Sequence, residues 1–434
     1  MMDVFSFGYR EGVLHAESVA LPQLEEDFGT PLYVYSTAGL ESAYQRFAHA
    51  FHDQDTLIAY SVKANSNQSV IAILSRLGAG ADVVSEGELK RVLRVGIPGG
   101  RIVFSGVGKT GEELEAGLRA GVHQFNLESE AQLRLLSDIA QQIGKSARIA
   151  IRVNPDVDAG THDKIATGRK EDKFGVPIGL ACDLYQTAGT LPGIDVVGVD
   201  LHIGSQLTEL SPFRAAFLRL ADLIKQLKAL GHQIAQIDLG GGLGVSYQNE
   251  SPPSAAAYAE LVKATLGSFG CQIILEPGRA LVANSGVLLC RVIEVKGTLA
   301  HRFVIVDAAM NDLLRPALYD AWHPINPVIK PGENSLSEVV DVVGPVCESG
   351  DVLGRARALP RLVAGDLLAI GSVGAYGSVM SSSYNTRSPA AEVLVHESRS
   401  AVIRPRLPLD VLINQDRMPD WLPAGNKSMG ETGR

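Results

Sequence analysis

The chain has 434 residues, 46% of them hydrophobic, and a formal net charge of -9. That length exceeds one ordinary domain, so two are expected. No Lys/Arg run is dense enough for a nucleic-acid partner. Apolar stretches are short and soon broken, as Arg291 breaks Val287 to Val295, so none is expected to cross a membrane.

Met1 to Arg10 lacks a basic-then-apolar signal pattern. Cys182, Cys271, Cys290 and Cys347 form no Cys-x-x-Cys pair, so neither a zinc site nor a disulfide framework is indicated. A cytoplasmic location is the default expectation.

Residues 4 to 35 read as strands, at Val4 to Tyr9, Val13 to Leu21 and Leu32 to Tyr35, with little helix among them. From Thr37 the period becomes helical, through Leu40, Tyr44, Phe47 and Phe51. An alternation then begins. Strand-like runs fall at Leu57–Val62, Ala81–Val84, Ile102–Phe104, Gln124–Leu127, Ile149–Val153, Val196–Leu201, Ile234–Leu239 and Ile273–Leu275. Helical patterns such as Glu86 to Val95, Gly111 to Ala120, Glu130 to Ile143 and Phe213 to Leu230 separate most of them. Ser85 with Glu88, Thr110 with Glu113 and Ser129 with Gln132 carry the capping-box spacing at three helix starts.

Eight strands alternating with helices predict a (β/α)8 TIM-type barrel over 36–283, with an open doubly wound sheet as the other arrangement. In a barrel, functional groups sit just past the strands. Those positions hold Lys63, Ser85, Asn126, Glu128, Asn154, His202, Gly240 to Gly242, and Glu276. Beyond Arg279 strand-like runs follow without comparable helices, at Val287–Val295, Phe303–Val306, Val339–Val346, Leu367–Ile370, Ala391–Val395 and Ala401–Ile403. These predict a β-rich domain over 284–413 that residues 1–35 join, followed by a loose tail over 414–434.

Lys63 ends the first barrel strand. It is either a surface lysine or a partly desolvated amine of lowered pKa that can form a Schiff base with a carbonyl. Gly240, Gly241 and Gly242, with Gly244, make either a tight turn or a cradle of backbone N–H groups for a phosphate. Gly106 to Gly111 matches Gly-x-Gly-x-x-Gly, with Glu128 about twenty residues on as a dinucleotide site wants; a lone match third in a series of eight strands is a weak signal. It is not a Walker motif, because Val103 stands where a glycine is required. Glu276 is a helix-capping acid or a carboxylate that keeps a pyridine nitrogen protonated. His202 is structural or stacks on an aromatic cofactor. Arg315 is a surface ion-pair partner or a carboxylate grip. Cys347, beside Glu348 and near Asp351, is a bland thiol or a proton donor.

Together these motifs resemble the fold type III pyridoxal-phosphate-dependent decarboxylases and, within them, the diaminopimelate decarboxylase family. The resemblance runs from Tyr60-Ser61-Val62-Lys63-Ala64-Asn65 to Gly374-Ala375-Tyr376. It takes in Thr161-His162-Asp163-Lys164-Ile165-Ala166-Thr167-Gly168, Lys173-Phe174-Gly175, His202-Ile203-Gly204-Ser205-Gln206, the glycine turn, Glu276-Pro277-Gly278-Arg279, Arg315-Pro316-Ala317-Leu318-Tyr319 and Cys347-Glu348-Ser349-Gly350-Asp351.

The resemblance implies pyridoxal 5'-phosphate as cofactor and decarboxylation of meso-2,6-diaminopimelate to L-lysine and CO2. The other amino-acid substrates on this fold are ornithine, arginine and carboxynorspermidine. By position, Lys63 would hold the cofactor as a Schiff base and His202 would stack on its ring. Gly240, Gly241, Gly242, Ser205 and the backbone at Pro277 and Gly278 would hold its phosphate. Glu276 would pair with its ring nitrogen. Arg279, Arg315, Tyr319 and Tyr376 would bind substrate, Arg279 and Tyr376 lying against the cofactor as well. Glu348 would read the substrate's far ammonium and Cys347 would return a proton. In the family that loop enters from the other subunit, which implies a homodimer with shared active sites. Two departures are visible: Glu86 in Ser85-Glu86-Gly87-Glu88-Leu89, where members often carry glycine, and Trp322 before His323, where they often carry tyrosine. Both bear on fine substrate preference and leave every catalytic group in place.

Overall fold

A computed structural model describes residues 6–158, 173–298, 301–332 and 335–422. The Thr161 to Gly168 motif and the last residues of the tail lie outside the described residues.

Eight parallel strands close into a barrel: β1 (Thr56–Ser61), β2 (Gly80–Val83), β3 (Ile102–Phe104), β4 (Gln124–Leu127), β5 (Ala147–Asn154), β6 (Ile194–Leu201), β7 (Gln236–Asp238) and β8 (Gln272–Leu275). Each pairs with the next in order, and β8 pairs with β1 to complete the ring, so the open-sheet alternative is set aside. Leu57, Ala59, Val103 and Ile274 form a small apolar cluster contributed by β1, β3 and β8. Polar residues follow toward the C-terminal strand ends. Ser61 lies beside Asp82 across β1 and β2, and Asp200 lies beside both Arg152 and Asp238. The larger core lies where helices pack on the barrel, with Phe104, Phe125, Tyr185 and Phe217 fully buried.

The helix starts show how local chemistry sets the entry of each helix. Thr110 and Glu113 form a reciprocal capping box at Gly111–Ala120. Ser85 accepts from the Glu88 N–H and Ser129 from the Gln132 N–H. Their Glu88 and Gln132 side chains, however, reach one residue further back, to the N–H of Val84 and of Glu128. The last two are therefore single caps with a longer return, not boxes.

The second sheet is β-rich. Its central strand, Gly286–Gly297, pairs with Leu32–Ser36, Leu367–Ile370 and Arg302–Val306. Leu32–Ser36 lies between Gly286–Gly297 and Ala391–His396, so the chain's opening segment completes this sheet. One expectation for the opening fails. Leu21–Phe28 is a helix, with Pro22 in its first turn and Leu21 and Leu24 buried. Proline there has no N–H to lose and is preset for the helical φ, and the Leu21, Leu24, Phe28 spacing is helical. The strands Ile325–Pro327 and Val352–Pro360 and the short helices Arg315–Tyr319 and Leu409–Ile413 are further elements absent from the sequence expectations. Among the described residues no helix is long and apolar enough to cross a membrane.

Candidate active site

A cavity of about 350 Å³ opens at the C-terminal ends of the barrel strands. Ser61, Lys63, His202, Ser205, Gly241, Gly242, Glu276, Pro277, Gly278 and Arg279 line it from the barrel. Arg315, Tyr319, Trp322, Tyr376 and Met380 close it from the β-rich part. Distant stretches of chain thus meet in one place. Gly240 lies in the same turn without facing the cavity.

Lys63 projects from the single turn after β1, its Nζ 3.1 Å from Asp82 Oδ2. Asp82 is fully buried and also accepts from Ser61 Oγ at 2.7 Å. Burial pulls the lysine pKa down, but the Asp82 carboxylate, with Glu276 behind it, outweighs burial and holds it above the ordinary lysine value. The expectation of a lowered pKa is therefore corrected. A carboxylate directly across from the ammonium stabilises the charged form more than desolvation destabilises it. Lys63 is held as an ammonium that must pass a proton on before its nitrogen can bond to carbon.

The glycine turn leaves no room for side chains. A Cβ on Gly241 would stand 2.4 Å from the Glu276 carbonyl oxygen, and one on Gly242 2.7 Å from that of Gly204. Gly240 and Gly242 both have positive φ, at 60° and 111°, a region glycine enters at no steric cost. The turn is tied to its surroundings by the Gly240 N–H to Asp238 Oδ1 at 3.0 Å and the Gly241 N–H to His202 Nδ1 at 3.2 Å. That second bond makes Nδ1 an acceptor and leaves the ring hydrogen on Nε2. Burial, then the charges of Arg152 and Lys63, push the His202 pKa well below its usual value. The cavity wall there is a neutral, flat imidazole.

Glu276 is 7% exposed. Its Oε1 accepts from Ser105 Oγ at 3.1 Å and lies 3.3 Å from Asn126 Nδ2. Burial, then Asp238, Asp82 and Asp200, raise its pKa well above the carboxylate range. Opposite it in chemistry, Arg279 and Arg315 bring two guanidinium groups. Arg279 donates to Ser205 Oγ at 3.0 Å and to the Tyr247 hydroxyl at 2.6 Å, and stacks 4.8 Å from the Tyr376 ring centre. Arg315 Nη1 reaches His323 Nε2 at 2.8 Å and stacks over Tyr247. Within the described residues these hydrogen bonds go to hydroxyls and an imidazole, so the cavity side keeps two cations for an anionic guest.

His323 is a partner that the sequence did not reveal. It is fully buried, with Nδ1 2.9 Å from the Gly371 carbonyl, and burial followed by the charge of Arg315 pushes its pKa down to about 3. The native state therefore stays unprotonated at pH values where the unfolded chain takes up a proton. Below the unfolded value near 6.5 the unfolded state binds more protons, so stability is lost as pH falls toward 3 and regained as it rises. Relative to His323→Gln, the wild-type chain should gain about 2 kcal/mol of unfolding free energy between pH 5 and pH 7. Denaturant titrations of both proteins at the two pH values measure this, and an unchanged difference refutes a neutral His323.

Asp82, Ser61, Tyr247 and Met380 are further site residues to which the sequence reading gave no role. Asp82 had a signal, an acid inside the apolar run Ala81–Val84. Tyr247 had only its place five residues past Gly242. Cys347 and Glu348 are not brought to the cavity. Cys347 is an exposed free thiol whose N–H donates to Asn385 Oδ1, and Glu348 accepts from the Tyr384 hydroxyl at 3.3 Å. Of the two departures, Trp322 lines the cavity with Arg357 stacked 4.1 Å from its ring, whereas Glu86 pairs with Lys90 on the helix surface. The Gly106 to Gly111 segment holds no open cradle, since Lys109 fills it, its Nζ bonding the carbonyls of Gly106 and Asn126 at 2.6 Å each.

Residues 37–283 match the family model of the pyridoxal-dependent decarboxylases' pyridoxal binding domain. A diaminopimelate decarboxylase of Zymomonas mobilis is 45% identical over 421 residues, covering 96% of this chain and 99% of the relative. One from Pseudomonas fluorescens is 51% identical over 402 residues, covering 92% and 96%. Among solved structures, diaminopimelate decarboxylase of M. jannaschii with L-lysine superposes with a TM-score of 0.93 at 38% identity, covering 98% of this chain and all of that one. That of Helicobacter pylori with L-lysine gives 0.88 at 43% identity, covering 91% and 98%. With identity at this level over more than nine-tenths of the chain, and a family model that matches residues 37–283, the chain belongs to the diaminopimelate decarboxylase family of pyridoxal-dependent decarboxylases.

Proposed function

We propose that this protein decarboxylates meso-2,6-diaminopimelate to L-lysine and CO2, the last step of lysine biosynthesis, using pyridoxal 5'-phosphate. The observation that carries the substrate choice is the pair Arg279 and Arg315 in the cavity that holds Lys63. Ornithine and arginine have one carboxylate, which leaves as CO2. Diaminopimelate has a second that stays, and the Arg315 guanidinium, set against His323 and Tyr247 among the described residues, is suited to hold it.

The residues present fit the cofactor. The glycine turn is packed so closely that only backbone N–H groups can line it, which suits a phosphate. Ser205 and the Pro277–Gly278 backbone flank that turn, and Lys63 and Glu276 supply an amine and a buried acid in the same cavity. Lys63 would carry the group covalently, with Asp82 placed to take the proton its nitrogen gives up. His202 would cover one face as an uncharged ring. When bound, the pyridoxal group supplies an electron sink for the bond that breaks as CO2 departs. Glu276 would hold a proton against the ring nitrogen and so keep that sink strong. Tyr319, Tyr376 and Trp322 would exclude water from the reacting carbon.

Cys347 would return the proton to that carbon, and Glu348 would read the distal ammonium, both contributed by a second copy of the chain. The homodimer goes with their place outside this chain's own cavity. Residues 36–283 would serve as the cofactor-binding unit, and the β-rich part over 284–413, which residues 1–35 join, would close the cavity through Arg315, Tyr319, Trp322, Tyr376 and Met380. The four cysteines are free, as a reducing cytoplasm keeps them.

CO2 release by the pyridoxal-phosphate-loaded protein should be at least about a hundredfold faster, as kcat/KM, from meso-diaminopimelate than from ornithine, arginine or carboxynorspermidine. Comparable release from any of those three overturns the assignment.

A further inference from the structure

The floor of the cavity holds more buried acid than the mechanism uses. Asp82, Asp200 and Asp238 are each at most 2% exposed, and Glu276 stands just beyond them. They do not converge as a metal-binding group among the described residues. A polar scaffold joins two of them. Asn126 Nδ2 lies 3.0 Å from Asp238 Oδ2, 3.1 Å from Ser105 Oγ and 3.3 Å from Glu276 Oε1. Gln124 Nε2 donates to Asn126 Oδ1 at 2.8 Å and reaches Asp238 Oδ2 at 3.1 Å. The other Asp238 oxygen accepts the Gly240 N–H at 3.0 Å, and the Gly240 carbonyl in turn accepts the Glu276 N–H at 2.7 Å. Lys109 fixes the Asn126 backbone from behind.

We propose that Asp238 and Asn126 are positioning residues that lock Glu276 and the glycine turn into one rigid unit and govern where Glu276 ionises. This rests on the reading that Glu276 faces the ring nitrogen. It adds that the acid at one end of the cofactor and the cradle at the other share a support, Asp238, which touches neither substrate nor cofactor.

The geometry couples the two acids. Asn126 Nδ2 lies 3.0 Å from an oxygen of Asp238 and 3.3 Å from one of Glu276, so the charge on one carboxyl acts on the other across a single amide. Other charged groups facing the pair are Asp82 and Asp200, with Lys63 opposing them. Arg152 is engaged by Glu128 at 3.2 Å, so it does not neutralise the pair. Burial raises both carboxyls, Asp238 to about 6 and Glu276 well above the carboxylate range. Asp238 is the acceptor that Asn126, Gln124 and Gly240 all require.

Two substitutions push in opposite directions. Asp238→Asn removes a negative neighbour and should let Glu276 ionise at lower pH. Asn126→Leu, similar in volume, removes a donor to the ionised form and should make Glu276 harder to ionise. The readout is pH-difference infrared spectroscopy of the cofactor-free protein, in which the carboxyl band missing from Glu276→Gln identifies Glu276. Its midpoint should fall by at least about one pH unit in Asp238→Asn and rise in Asn126→Leu. In the loaded enzyme, Asp238→Asn should lower kcat about tenfold or more while KM for substrate stays within about threefold. A merely structural role lowers the melting temperature in both variants without moving the midpoint. A midpoint unmoved in whichever variant folds overturns the proposal. Neither cofactor nor substrate enters the infrared arm, so turnover of a different amino acid would revise the function and leave this result standing.

Discussion

Lys63→Ala should abolish covalent retention of the cofactor: after borohydride treatment of the loaded protein, no pyridoxyl group should remain on the chain by mass spectrometry. Decarboxylation should fall by about ten-thousandfold or more, as expected when the group that bonds the reacting partner is deleted. The substitution also leaves Asp82 buried with Ser61 as its remaining neighbour and one oxygen, Oδ1, unpaired. Removing one member of a buried ion pair is costly, but the Lys63 side chain is 41% exposed to the cavity, so the loss here is about 1–3 kcal/mol. Adding Asp82→Asn should restore the melting temperature without restoring the label. Retention of a label by Lys63→Ala would place the attachment elsewhere, and an unrestored melting temperature in the double variant would mean that Asp82 matters for more than its charge.

The barrel was legible because its strands are short, apolar and evenly interrupted by capped helices. The site was legible because a barrel sends whatever follows each strand to one rim, so Lys63, His202, the glycine turn and Glu276 meet there. Chemistry along the strands was harder to read. Asp82 sits between apolar neighbours, and no local pattern distinguishes an acid facing a cavity lysine from one that terminates a strand. Its effect on Lys63 reverses the direction that burial alone suggests, and only the 3.1 Å separation reveals it. His323 lies eight residues from Arg315, too far for a helical pairing rule and close in space only because a short helix and the return toward Ile325–Pro327 fold it back. The helix Leu21–Phe28 was hidden by its proline, which reads as a strand breaker unless its first-turn place is recognised. Asn126 was noticed as a strand-end polar residue, but its links to Asp238 and Glu276 span 112 and 150 residues of chain.

The largest gain from near inactivity should come from mixing two dead chains. Cys347 and Glu348 lie outside this chain's own cavity, in the tight turn Gly344 to Asp351 that Asp351 braces through the N–H groups of Val346 and Met310. If a second copy delivers them, each site takes Lys63 from one chain and Cys347 from the other. Lys63→Ala and Cys347→Ala are then each inactive alone. Unfolded together in equal amounts and refolded, half of the dimers are hybrids, and each hybrid holds one site with both groups intact. About a quarter of wild-type activity should return if sites act independently. The reciprocal mixture sharpens the result. With both substitutions on one chain and none on its partner, every site of a hybrid lacks one group, so only the wild-type dimers work and about a quarter of full activity remains. A site built within one chain gives different results in both mixtures. The two single variants then recover nothing, and the double variant mixed with wild type keeps about half, because each wild-type chain works in any dimer. Values of none and half in the two mixtures would overturn the shared site and assign Cys347 to its own chain's cavity, whereas a Cys347→Ala chain that is active on its own would deny Cys347 any role in proton return.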